Sequence, residues 1–161
     1  MRIIDFHAHI YPEKIAGKAT DATGDFYGIS PACIGTGDEL LREGKIAGID
    51  EFVLLPVATK SEQVRHVNEF ILGETAAHKE FHGFGTLHPD CENIMEEAEY
   101  ILNSGLKGIK LHPDTQRFNT DDKRLFEVYE AVQGKLPLLV HCGDKRFDFS
   151  HPARLKRVID N

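Results

Sequence analysis

Five short stretches of aliphatic, aromatic and β-branched residues recur along the chain, at 3–9, 52–57, 82–87, 106–111 and 138–142. Each has the length and composition of a largely buried strand, and each is followed by a segment with helical signals. Ile94, Ala98, Ile101 and Leu102 share one helical face behind Asp90, the expected cap. Leu125, Val128, Tyr129 and Val132 share another behind Thr120, Asp121 and Asp122. Leu40, Leu41 and Ala47 form a third face ahead of Gly48, a helix stop. Residues 17–37, rich in glycine and polar side chains, read as a long loop after the first strand. Strand followed by helix, five times over, predicts an α/β fold with a parallel sheet and helices outside it. The reading places residues 1–161 in one domain, with no second domain and no low-complexity tract.

One polar pattern interrupts the first apolar run. Asp5, His7 and His9 alternate with Ile4, Phe6, Ala8 and Ile10, so in a regular strand the three polar groups share one face. Polar groups on a buried strand need a partner, and a divalent cation supplies one. Of the nine histidines, His7, His9, His88, His112 and His141 fall at or just past the C-terminal end of a predicted strand. That is where β/α folds collect their functional side chains. The first strand is followed by no glycine-rich phosphate loop; His-Ala-His stands in its place.

Composition narrows the classes further. A formal charge of −7 argues against a nucleic-acid partner, which calls for a basic face. Asp5 and His7 break the N-terminal apolar run, so it does not read as a signal peptide, and no apolar stretch approaches the roughly 20 residues of a membrane span. Cys33, Cys91 and Cys142 are odd in number and lack Cys-x-x-Cys spacing, which argues against a disulfide framework or thiolate zinc site and makes a reducing cytoplasm the expectation.

Three motifs in order carry a resemblance: Ile3-Ile4-Asp5-Phe6-His7-Ala8-His9-Ile10-Tyr11-Pro12, Gly108-Ile109-Lys110-Leu111-His112-Pro113 and Leu139-Val140-His141-Cys142-Gly143. With Gly83-Phe84-Gly85-Thr86-Leu87-His88-Pro89 as the third-strand landmark, the chain resembles the amidohydrolase superfamily, in the branch that includes aminocarboxymuconate-semialdehyde decarboxylase and related hydrolases. The resemblance implies a TIM-type (β/α)8 barrel, of which this chain holds about the first five β–α units. It implies a divalent metal, zinc first and manganese as the alternative, bound by His7, His9 and His141. The family's further ligands, a His on strand six and an Asp at the end of strand eight, have no counterpart in this chain. A barrel of this type runs to about 250 residues, so the expectation is the N-terminal part of a longer barrel protein, its open sheet edges covered by a homo-oligomer.

The chemistry implied is hydrolysis of an amide, lactone or ester of a small molecule by a metal-activated water. Decarboxylation, also performed in this branch, is the alternative within enzymes, and a non-catalytic metal-binding scaffold is the alternative outside them. Lys110 shares a face with His112 and is expected to pair with a substrate carboxylate or with Asp5; relatives with two metals carry a carboxylated lysine on strand four. His112 and Arg117, on the following loop, are the other expected substrate contacts. Asp5 is expected as a hydrogen-bond acceptor behind the metal ligands. Cys142 is expected to face the helices as a small hydrophobe, and Glu96, Glu97 and Glu99 to form a solvated helix face.

Overall fold

A computed structural model describes residues 1–161. The strands are β1 (Ile4–Ala8), β2 (Glu51–Leu54), β3 (Phe81–Gly83), β4 (Gly85–Thr86), β5 (Ile109–Leu111) and β6 (Leu138–Val140). The helices are α1 (Glu13–Tyr27), α2 (Gly37–Ala47), α3 (Val64–Ala77), α4 (Ile94–Ser104), α5 (Pro113–Gln116), α6 (Phe126–Val132) and α7 (Pro152–Ile159), with 3-10 turns at Ser61–Gln63 and Lys123–Leu125. All pairings are parallel, in the orders β1-β2-β3 and β4-β5-β6. The expected α/β architecture of strand and helix units is therefore present.

The third predicted strand is split at Phe84, where the chain passes from one neighbour to the other. Phe84 N–H still donates to Leu54 O at 2.9 Å, whereas Gly85 N–H donates to Gly108 O and Lys107 N–H to Gly83 O, both at 2.8 Å. The two glycines are there for the helices. A Cβ on Gly83 would overlap Ile71 and Thr75 of α3, and one on Gly85 would crowd Ile101 of α4. Asn68 of α3 then secures β4: its amide donates to Thr86 O at 3.1 Å and its carbonyl accepts from Thr86 N–H at 2.8 Å.

Alternation along the strands separates two apolar faces. Phe52, Leu54, Ile109 and Leu111 belong to the main core of 18 buried residues, packed against the helices with Ile71, Ala98, Ile101, Leu125 and Val128. Val53, Leu55 and Phe84, backed by Leu139, form a small cluster on the opposite face. Lys110 lies between Ile109 and Leu111 in sequence and opposite Leu139 in register, which puts it on that inner face.

Several expectations are corrected here. Much of the segment 17–37 is helix rather than loop. In α1, Ala16, Thr20 and Gly24 repeat every four residues as its buried stripe, and Gly28 in the left-handed region caps its end. The helix tolerates the weak helix formers Gly17, Thr20, Thr23 and Gly24 because its small side chains pack closely, with Gly24 against Ile29 O and the Pro31 ring. Asn93, not Asp90, occupies the N-cap position of α4, and Asp90 instead pairs with Arg124 at 2.5 Å. On α2, Gly48 stops the helix as expected, but Ala47 is exposed and the buried positions are Gly37 and Gly44.

Candidate metal and substrate site

The strand register decides how the first motif is presented. Asp5 is opposite Phe52 and Ala8 is opposite Leu54, so three steps on β1 match two on β2, with a bulge between them. Asp5 therefore lies on the helix side of the sheet with Ala8, and it does not share a face with His7 and His9 as the regular alternation predicted. Its carboxylate turns back to accept the His7 N–H at 2.9 Å. His7 and His9 emerge at the strand's C-terminal end with their rings 5.0 Å apart and edge to face.

β5 supplies the centre of the inner face. Lys110 is fully buried, and its Nζ has no hydrogen-bond partner. The expected pairing with Asp5 is absent, because the bulge moves that carboxylate to the other side. Burial pushes the Lys110 ammonium down to about 8. Its charge is felt by every nearby imidazole. Burial first, then His7 and Lys110, bring His9 down to about 4; burial, His141 and Lys110 bring His112 down to about 3. His7 and His141 are lowered as well, again by burial, with Lys110 adding to it. At neutral pH these four rings are uncharged, the state in which a nitrogen lone pair can bind a cation.

The loops after β5 and β6 bring further groups together. His112 is the N-cap of α5: its Nδ1 accepts from Thr115 N–H at 3.4 Å, which leaves Nε2–H to donate to the Tyr27 hydroxyl at 2.7 Å. The His112 and His141 rings stack, 4.0 Å apart and 9° from parallel. Asp114, 2% exposed, accepts from Ser150 Oγ–H at 2.6 Å, and the same Oδ2 lies 3.6 Å from His141 Nε2. Its Oδ1 is buried without a partner. The donor atoms of His112, Asp114 and His141 all lie within 4.8 Å of one another, a spacing suited to a divalent cation. This trio shares His141 with the expected ligand set, while His7 and His9 stand outside it.

The mouth is walled by aromatic rings from α1 and the β6 loop. Phe26 stacks on Phe147 at 5.7 Å, and the Arg146 guanidinium lies over the Phe26 ring at 4.6 Å while donating to Phe26 O. Asp144 accepts hydrogen bonds from the Arg146 guanidinium and from the Arg146 backbone N–H, which hold its carboxyl down at about 2.

The remaining candidates fall into place individually. Arg117 is exposed at the end of α5 with φ 59°, and its side chain makes no hydrogen bond. His88 is structural: Nδ1 accepts from Asp90 N–H at 3.2 Å and Nε2–H donates to Gln116 O at 3.1 Å. Cys142 is exposed rather than buried among helices, its thiol donating to Ser150 O at 3.2 Å. Glu96 and Glu99 are solvated as expected, but Glu97 is half-buried and bonded to Arg65 at 3.0 Å.

Asp114 and Tyr27 were not among the expected site residues. Asp114 was legible in principle, as a carboxylate two residues past the strand-end His112. Tyr27 was not, because the helix that carries it was read as loop.

No known protein-family profile and no curated protein matches the chain. Solved structures do match in fold. A dihydroxybenzoic acid decarboxylase from Polaromonas sp. JS666, which holds manganese and the inhibitor 2-nitroresorcinol, aligns over 100% of this chain and 54% of its own with a TM-score of 0.65 and 18% identity. A Staphylococcus aureus protein that bears the name amidohydrolase aligns over 89% and 48%, with a TM-score of 0.64 and 19% identity. A 2,6-dihydroxybenzoate decarboxylase in complex with 2,6-dihydroxybenzoate aligns over 95% and 55%, with a TM-score of 0.63 and 18% identity. The chain thus spans about half the length of the structures it resembles.

Proposed function

We propose that this chain is the metal-binding part of a (β/α)8-barrel enzyme of the amidohydrolase type, corresponding to about the first five β–α units. A divalent cation, zinc or manganese, is held by His7, His9 and His141, and the substrate is a small molecule with an amide, lactone or ester bond. The observation that carries this reading is the convergence of histidines from the ends of β1, β5 and β6 around the buried, unpartnered Lys110. The fit to a cation rests on the donors themselves, imidazoles that burial keeps neutral. Its fold-level support is the likeness to amidohydrolase and decarboxylase structures.

A cation bound there acidifies water and polarises a carbonyl. The chain's own residues do the rest. Lys110, buried and unpartnered, offers its three N–H donors to an anionic substrate group. His112 Nε2–H and the Tyr27 hydroxyl line the approach, and Arg117 stands exposed past α5 as the outer cationic contact. The same Lys110 favours a second reading, decarboxylation, because a buried ammonium without a partner suits a substrate carboxylate.

Elemental analysis of the purified chain tests the ligand set. Close to one equivalent of zinc or manganese in the wild type, absent from the H7A/H9A variant, is the expected result. Equal metal in both proteins would remove His7 and His9 from the site.

A further inference from the structure

We propose that Asp114 is a positioning residue for the candidate metal site: its carboxylate accepts the Nε2–H of His141 and thereby leaves the Nδ1 lone pair for the cation. The inference rests on the reading of His141 as a ligand and extends it to the group that orients that ligand.

Asp114 is buried, yet one short bond from Ser150 Oγ is all its carboxylate receives, and Oδ1 has nothing. A buried carboxylate gathers more donors than that. His141 Nε2 is within reach, 3.6 Å from Oδ2, and such bonds commonly tighten when a site fills. Everything else about the ring is already held. The stack on His112 sets its plane, and His112 is in turn fixed through Tyr27 and Thr115 N–H. What remains open is which nitrogen carries the proton, and an adjacent carboxylate settles that.

The alternative use of the same atoms, a chelate of His112, Asp114 and His141, conflicts with two observations. Rings 9° from parallel and 4.0 Å apart cannot both contain one cation in their planes. His112, accepting at Nδ1 and donating from Nε2, also has no lone pair to offer.

The test separates orientation from ligation and from loop structure. In the metal-free, 15N-histidine-labelled chain at neutral pH, long-range 1H–15N correlation spectra report the His141 tautomer. Wild type is expected to show Nε2–H. In Asp114→Ala no acceptor faces Nε2, so the ring is expected to lose that preference and populate Nδ1–H. Zinc affinity, measured by competition with a chromophoric chelator, is expected to fall by about 10- to 100-fold in that variant. Ser150→Ala loses the bond to Asp114 and the two that Oγ accepts from Gly143 and Asp144 N–H, but keeps the carboxylate, and is expected to keep the Nε2–H tautomer. An unchanged tautomer in Asp114→Ala would overturn the proposal, and with lost zinc it would make Asp114 a ligand instead. The same switch in Ser150→Ala would reduce Asp114 to a loop anchor. Because the tautomer is read without metal, a wild type that binds no zinc would sink the ligand set while leaving this result to stand or fall by itself.

Discussion

At the residue scale, the group that stands out is Lys110, a cation on the inner face with neither a carboxylate nor a hydrogen bond to balance it. Fully buried and displaced from 10.5 to about 8, it costs the folded state on the order of 3 kcal/mol at neutral pH. The sign follows from proton counting. Between the folded value near 8 and the unfolded value of 10.5, the unfolded chain binds the proton more tightly, so raising pH through that window stabilises the fold. Lys110→Met is therefore expected to be more stable in urea at pH 7 by about 1–3 kcal/mol. Its stability should also lack the wild type's rise between pH 8 and 10.5; parallel curves for the two proteins would show that Lys110 is already paired. A buried cation without a partner, strongly displaced from its ordinary value, is a pattern that clusters at functional sites.

Element by element, the molecule depends on helices seated unusually close to strands. Gly44 of α2 leaves no room for a methyl group, since a Cβ there would overlap the Phe52 ring of β2. Gly44→Ala gains up to about 1 kcal/mol of helix propensity but forces the buried ring to move, at about 1–3 kcal/mol. Net destabilisation in chemical unfolding is expected, and a more stable variant would mean that α2 can shift outward. Asn68 presents the opposite case, a buried side chain that satisfies backbone. Asn68→Ala leaves both Thr86 N–H and Thr86 O without their partners at the split between β3 and β4, and is expected to cost about 2–4 kcal/mol. α7 is held differently, by Arg154 and Arg157 on Asp121, at 2.8 and 2.6 Å. Burial alone would raise the Asp121 carboxyl, but those two hydrogen bonds outweigh it and the net value is lowered. Its contribution is present above the ordinary carboxylate range and is lost as pH falls through the lowered value.

Across the whole molecule, stability is unevenly spread. The helix side holds the 18-residue core, whereas the inner face holds three buried apolar residues. β5 is buried along its whole length and lies between two neighbours, while β1 and β6 each pair on one side only, β1 largely exposed and β6 half-buried. Ile4 and Phe6 of β1 are 46% and 59% exposed. Amide hydrogen exchange is expected to rank β2 and β5 as most protected and β1 and β6 as least. Equal protection of β1 and β5 in solution would show that something covers the β1 edge. The histidines of the site come from both kinds of strand, with His112 on a rigid one and His7, His9 and His141 at the ends of the two edges. Binding a cation between those edges would therefore slow exchange in β1 and β6 more than elsewhere.

Much of this architecture was legible in the amino-acid order alone. Hydrophobic periodicity is a local property, so five strand segments, the parallel α/β class and the strand-end positions of His7, His9, His112 and His141 could all be read from spacing. Tertiary structure decided what spacing could not carry. The bulge in β1 turned Asp5 away from the histidines, because register is set by the neighbouring strand rather than by alternation within one. α1 formed despite the weak helix formers Gly17, Thr20, Thr23 and Gly24 because Ala16, Thr20 and Gly24 bury well, and it brought Tyr27 to His112. Asp114 reached His141 through the fold of two loops that are 27 residues apart in sequence. Contacts of that kind depend on where separate elements dock, and no local pattern encodes them.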